Sequence, residues 1–161
     1  MARSGPEPNV TLSLLDRLVD QDLSLKADPP QGRAQSLRQL KASLRRDIEW
    51  LLNTRRSIEA VEDTSLETEH SLFNYGLPDI ASLGVHSTQD QNRLLWMIES
   101  TIQNFEPRIS GARVTMEPVS GGARILRFQI QGLLRIDPAP ERVTFDTVLE
   151  LTSGEYEVKG D

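Results

Sequence analysis

The chain changes its hydrophobic period at one place, Phe105-Glu106-Pro107-Arg108. Ahead of it, Leu94, Leu95, Ile98, Ile102 and Phe105 recur every three or four positions, the stripe of an amphipathic helix. Thr88 is the expected N-cap, with Gln91 three residues on to complete a capping box. Pro107 has no N–H to donate and disfavours helical backbone at Glu106, so the helix must end there. Beyond it the apolar residues alternate with period two. Glu106 and Arg108 therefore stand where helices hand over to sheet.

The helical half begins weakly. Residues 1–10 carry Gly5, Pro6 and Pro8 with no periodicity and are expected to form a mobile tail. Within residues 11–25, Ser13 to Val19 makes a short amphipathic helix, with Ser13 as cap and Asp16 three residues later. Leu14, Leu15, Leu18 and Val19 form its apolar face. A helix this short is marginal alone and has to dock, on its own domain or on a partner. Asp28-Pro29-Pro30-Gln31-Gly32 reads as a linker. The strongest helix follows, Ser36 to Arg56, with Leu37, Leu40, Leu44, Ile48 and Leu51 as its core stripe. Trp50 lies off that stripe and covers the rim of the core or meets a partner. Arg45 and Glu49 are spaced for an i,i+4 pair worth only about 0.2–0.5 kcal/mol. Residues 57–71 are acidic and poor in apolar side chains, as in a loop with at most a helical extension. Leu72 to Asp79 has the Asn, Gly and Pro of a tight turn, expected to be buried by its aromatics.

The remainder reads as sheet. Arg113 to Glu117 is a strand closed by Pro118, and Ser120-Gly121-Gly122 turns the chain. From Arg124 to Ile136, Leu126, Phe128, Ile130, Leu134 and Ile136 share one face, while Arg127, Gln129, Gln131 and Arg135 share the other. Gly132 is the expected bulge or bend. After Asp137-Pro138-Ala139-Pro140, Arg142 to Thr152 alternates again, and Ser153-Gly154 turns into a last strand, Glu155 to Lys159. Helices followed by a meander predict one α+β domain over residues 35–161. Its helices pack on one face of a small, mainly antiparallel sheet of three to four strands.

Chemistry is sparse. A net charge of −6 opposes long-range attraction to nucleic acid or an anionic membrane. Arg124, Arg127, Arg135 and Arg142 lack interleaved aromatics, so they suit a protein-facing basic patch better than a nucleic-acid platform. The absence of cysteine excludes disulfides and thiolate metal sites. The two histidines, His70 and His86, fall in separate loops, and the acidic run lacks a calcium-loop pattern, so no metal is expected. No phosphate-binding glycine loop or nucleophile elbow is present, so no cofactor is expected. No apolar run reaches the roughly 18 residues of a membrane span, and Met1 to Pro6 lead into no hydrophobic signal region. A cytoplasmic protein is expected. One enzymatic reading survives: Glu99 and Glu106 lie seven residues apart on one helix, some 10 Å along its axis, and a glycosidase needs two carboxylates. Apolar burial would raise the pKa of Glu106, whereas Arg108 two residues on would hold it ionised. A buried, charge-assisted pair is the better reading.

Four segments in order carry a resemblance. They are Ser13-Leu14-Leu15-Asp16-Arg17-Leu18, then Leu44 through Arg55 (LRRDIEWLLNTR), Asn74-Tyr75-Gly76-Leu77-Pro78-Asp79, and Phe105-Glu106-Pro107-Arg108. Over roughly residues 10–155 the chain resembles the TssE family, baseplate subunits of the bacterial type VI secretion system. These are relatives of a contractile-phage baseplate wedge protein once labelled lysozyme-like. The resemblance implies a structural, non-hydrolytic subunit in the cytoplasm, at a baseplate docked on the inner membrane. It implies wedge partners TssF, TssG and TssK, proximity to the central hub spike, and templating of the first sheath ring of TssB and TssC. It also makes Glu106, Pro107 and Arg108 the family's signature motif. Leu14, Leu15, Leu18, Trp50, Arg127 and Arg135 are the further expected partner contacts. A peptidoglycan-cleaving enzyme with Glu106 as acid, or a soluble regulatory adaptor, are the alternatives. Residues 1–9 and 57–70 match nothing in the family.

Overall fold

The computed structural model describes residues 10, 12–19, 32–57, 66–80, 83–84, 87–118 and 124–160. The tail before Val10, the Asp28–Gln31 linker, most of the acidic run, His86 and the Ser120-Gly121-Gly122 turn lie outside the described residues. Helices α1 (Leu14–Leu18), α2 (Arg33–Asn53), α3 (Leu66–Glu69) and α4 (Thr88–Phe105) precede strands β1 (Ile109–Met116), β2 (Ile125–Leu134), β3 (Glu141–Glu150) and β4 (Tyr156–Gly160). The strands form one sheet in the order β1-β2-β3-β4, each pair antiparallel. The expected α+β class and meander are therefore present. Helix α4 lies along β1 and α2 along β4, so one face of the sheet is covered. None of the described helices is long and apolar enough to cross a membrane.

The core is the meeting of the two periodicities. Leu40, Leu44, Ile48, Leu51 and Leu52 of α2 and Leu94, Ile98 and Ile102 of α4 are buried. They meet Leu126, Phe128, Ile130 and Leu134 of β2 and Val143, Phe145 and Leu149 of β3. Arg127 and Gln131 alternate with these and are exposed on the uncovered face.

Several expectations are corrected by local geometry. The cap of α4 is Ser87, whose hydroxyl accepts the Asp90 N–H at 3.3 Å. Asp90, three residues after that cap, accepts from the Gly84 N–H at 3.0 Å. Helix α2 starts at Arg33 and ends at Asn53, three residues before Arg56. Thr54 and Arg56 are diverted into bonds with Leu77: Leu77 N–H to Thr54 C=O at 2.9 Å and Arg56 N–H to Leu77 C=O at 2.9 Å. The Glu49 carboxylate, expected in an i,i+4 pair with Arg45, accepts the Val158 N–H of β4 at 2.9 Å. In the Leu72–Asp79 turn Leu77 is buried, but Leu72 is 84% exposed and Phe73 also faces outward.

Strand β1 starts at Ile109, four residues before Arg113. Its register shifts between Ser110 and Arg113, around Gly111 at φ 62°. The buried positions pass from Ile109 to Ala112 and Val114, so the period is broken and the first half of the strand is hidden in the sequence. Gly132, the expected bulge, pairs regularly with Val143. Its missing side chain instead leaves room for Ile109, since a Cβ there would overlap the Ile109 Cγ2.

Gly76 tests the α2 terminus. It has φ 101°, and a Cβ would strike the Thr54 carbonyl. Gly76→Ala is expected to destabilise the fold by about 1–3 kcal/mol, read as a lower urea midpoint at unchanged slope.

Candidate functional site

The helix-to-sheet hand-over is a tight turn. Glu106 caps α4, its N–H still bonded to the Ile102 C=O at 2.9 Å. The Ile109 N–H then donates back to the Glu106 C=O at 3.1 Å, with Pro107 and Arg108 at the corners. Proline suits the first corner because its φ is preset. The turn brings the Arg108 side chain back onto the residue two before it.

Glu106 is only 5% exposed, so its carboxyl oxygens need partners within the protein. Both its oxygens are engaged by Arg108: Nε to Oε1 at 2.6 Å and Nη2 to Oε2 at 2.5 Å, with the Arg108 N–H also reaching Oε1 at 3.2 Å. This two-pronged fork is the strong geometry for a guanidinium and a carboxylate. Arg108 Nη2 also donates to Asp47 Oδ2 on α2 at 2.7 Å. The hydrogen bond to Glu106, opposed by burial and reinforced by both carboxylates, raises the Arg108 pKa above its ordinary value, so it stays cationic.

The charges continue outward in alternation. Asp47 Oδ1 accepts from Arg46 Nε at 3.1 Å and Nη2 at 2.9 Å. Arg46 Nη1 donates to Asp16 Oδ1 of α1 at 2.8 Å, and its guanidinium lies 5.0 Å over the Trp50 ring. Burial alone would raise the Asp16 carboxyl. Hydrogen bonds from Ser13, Arg46 and Ser43 outweigh it and hold the pKa below the ordinary aspartate value. Glu106, Arg108, Asp47, Arg46 and Asp16 thus join α4, the turn, α2 and α1 in one line. Tyr75 packs edge-on against Phe105 at 5.5 Å beside this line. Burial, then the negative charges of Asp47 and Glu106, raise its phenol pKa.

A shallow groove opens on the line. Leu15, Leu51, Tyr75, Phe105 and Pro107 give it an apolar wall, and Ser13, Asp47, Glu106 and Arg108 a polar one. Arg108 Nη1 is buried with no hydrogen-bond partner. The structure therefore brings Glu106, Pro107, Arg108 and Leu15 together. Leu14 and Leu18 stand on α1 outside the groove lining, 71% and 73% exposed. Trp50 is exposed on α2. Arg127 and Arg135 are exposed on or just beyond β2, apart from the groove. The apolar face read into Ser13–Val19 buries nothing; Val10 and Leu12 ahead of it pack on the core instead. Asp47 and Arg46 were not singled out by the sequence. Their adjacent opposite charges on a helix face look like any solvated pair. Glu99, the second carboxylate of the enzymatic reading, is tied to the edge of β1 through the Val114 N–H at 2.8 Å. No group of three or more potential metal ligands gathers among the described residues.

Comparison with known proteins gives a family match. The sequence profile of the family described as baseplate wedge protein gp25 matches residues 38–139, which hold Asp47, Glu106, Pro107 and Arg108. No curated protein sequence matches. A chain of a solved structure described as "The baseplate complex from the type VI secretion system" is similar at 19% identity and a TM-score of 0.48. The similarity covers 69% of this chain and 94% of that one.

Two measurements test the charge line. Arg108→Met strands a buried carboxylate and is expected to cost about 3–5 kcal/mol in chemical denaturation. Adding Glu106→Gln to it should recover part of that loss. The second is the pH dependence of α1. Because the folded Asp16 pKa is lowered, its contribution is present above the ordinary aspartate pKa of about 3.9 and is lost as pH falls through the lowered value. Backbone NMR shifts of Leu14 to Leu18 should move toward coil values in that acid window, and Asp16→Ala should produce the same shifts at neutral pH.

Proposed function

The chain belongs to the family of baseplate wedge protein gp25, and from that premise we propose that it is the TssE-type structural subunit of a type VI secretion baseplate. It joins a wedge with TssF, TssG and TssK, close to the central hub spike, and templates the first sheath ring of TssB and TssC. The Glu106-Pro107-Arg108 turn is its wedge-binding element. The observation that carries this reading is the geometry of that turn. Arg108 is held by Glu106 and Asp47, and these three side chains line the polar wall of a groove whose other wall is apolar. A fixed, partly exposed cluster of Asp47 and Arg108 beside Leu15, Tyr75 and Pro107 suits a partner segment that seats an apolar side chain in the groove and a polar group on its rim.

The same geometry supports a non-hydrolytic role. A general acid has to present its proton to the substrate, whereas both oxygens of Glu106 are committed to Arg108. Leu14, Leu18 and Trp50 on the helical side, and Arg127 and Arg135 on the open sheet face, supply further partner contacts in this reading. The work takes place in the cytoplasm, at a baseplate docked on the inner membrane.

Co-expression tests the assignment. Tagged chain should co-purify with TssF, TssG and TssK. A Glu106→Ala, Arg108→Ala double variant that keeps its circular dichroism should lose most of that recovery and fail to support sheath assembly in cells. Undiminished recovery and normal sheaths would remove the turn from the interface.

A further inference from the structure

Helix α1 is five residues long and buries none of them. A helix of this length does not persist in water by itself, so whatever fastens it decides where it stays. Among the described residues, its side-chain bonds to the rest of the protein run through Asp16, whose Oδ1 accepts from Arg46 Nη1 at 2.8 Å. Ahead of the helix, Val10 and Leu12 pack on the core. Behind it, residues 19–32 lead to α2, long enough at about 3.3 Å per residue to let α1 move while α2 stays in place. The helix is thus anchored at its start by packing and along its length by one carboxylate.

The place it occupies is the groove. Ser13 and Leu15 line it together with Leu51, Tyr75, Phe105 and the Glu106-Pro107-Arg108 turn. Leu15 is half exposed there, and Leu14 and Leu18 are mostly in solvent. Helix α1 therefore narrows the groove without being held in it by buried apolar surface. A segment that fills the groove competes with Ser13 and Leu15 for the same space.

The Asp16–Arg46 contact opens at low cost from both sides. When Asp16 leaves, Arg46 keeps the Asp47 carboxylate at 3.1 and 2.9 Å and the Trp50 ring at 5.0 Å. Asp47 in turn keeps Arg108 at 2.7 Å. Asp16 passes into water, so no charge is left buried and unpaired. The Glu106–Arg108 fork behaves in the opposite way. Separating it would strand a carboxylate that is 5% exposed, so the turn stays fixed while α1 moves.

We propose that α1 is a displaceable strap on the groove, latched by the Asp16–Arg46 ion pair, and that a wedge partner seating on the Glu106-Pro107-Arg108 turn has to unlatch it. In the free chain the strap shields Leu51, Tyr75 and Phe105. In the complex it gives up its place to the partner's apolar side chain. The second half of the proposal rests on the assignment of the turn as the wedge-binding element, whereas the strap is a property of the free chain. A partly exposed ion pair slows partner entry by a factor of about two to five.

The free chain is tested first. It has two tyrosines, Tyr75 at the groove and Tyr156 buried in the core, so 3-fluorotyrosine labelling supplies one probe and one reference. In Asp16→Asn the Tyr75 fluorine resonance should shift and respond more strongly to exchange of H2O for D2O, with Tyr156 unmoved. Raising the salt concentration should move the wild-type Tyr75 resonance the same way and leave that of Asp16→Asn where it is. No change at Tyr75, or equal movement of both tyrosines, overturns the strap. The complex is tested next. Purified TssF and TssG should associate about two- to fivefold faster with Asp16→Asn than with wild type, at an unchanged dissociation rate. Unchanged or slower association overturns the latch. Should wild type not bind TssF and TssG at all, the baseplate assignment fails, and the fluorine measurement still decides the strap.

Discussion

The Glu106–Arg108 fork is the contact on which the join between helices and sheet depends. A carboxylate that is 5% exposed survives as a charge only if its oxygens are matched, and a guanidinium two residues away can match them only if the chain reverses between the two. Pro107 supplies the reversal, ending α4 and presetting the turn in one step. Asp47 then takes the Arg108 nitrogen that Glu106 shares, and the turn is fastened to α2. A buried ion pair is a poor source of stability compared with well-packed apolar residues of the same volume. What it supplies here is orientation, since few arrangements of α2, α4 and β1 satisfy all three charges at once.

The polar flanks of the helices do work that their apolar stripes cannot. The stripes of α2 and α4 bury aliphatic surface, which is non-directional and tolerates sliding. Glu49, Asn53, Glu99 and Gln103 reach backbone groups of β4 and β1 and so fix where along each strand its helix lies. Helix α1 is a limiting case. It buries none of its residues and is held by Asp16 on Arg46, with Ser13 closing its first turn. Such a contact is electrostatic and only partly buried, and it holds the helix less firmly than apolar docking would.

Much of this fold was legible because periodicity is a local property. The stripe Leu40, Leu44, Ile48, Leu51 and the alternation Leu126, Phe128, Ile130 name their elements and their inward faces without knowledge of neighbours. The misplacements occur where a local rule met a non-local demand. The start of β1 was hidden because the Gly111 bulge shifts the phase. Gly132 looks like a bulge or bend in its own strand, because a glycine's need for space against Ile109 on the neighbouring strand leaves no trace in the local sequence. Leu14, Leu15, Leu18 and Val19 looked like a docking face because amphipathicity does not say what, if anything, is opposite.

The candidate site divides along the same line. The sequence alone determined that a helix ends at Glu106, that Pro107 turns the chain, and that Arg108 lies within reach of the carboxylate. All three follow from steric and charge rules acting over three residues. Packing supplies the rest: Asp47, 61 residues before Arg108, completes the cluster, Arg46 and Asp16 extend it to α1, and Glu49 and Asn53 bond the outward backbone of β4. The partner of a buried charge or an edge amide is chosen by which helix packs over it. That choice is made by the whole core at once and by no stretch of the chain on its own.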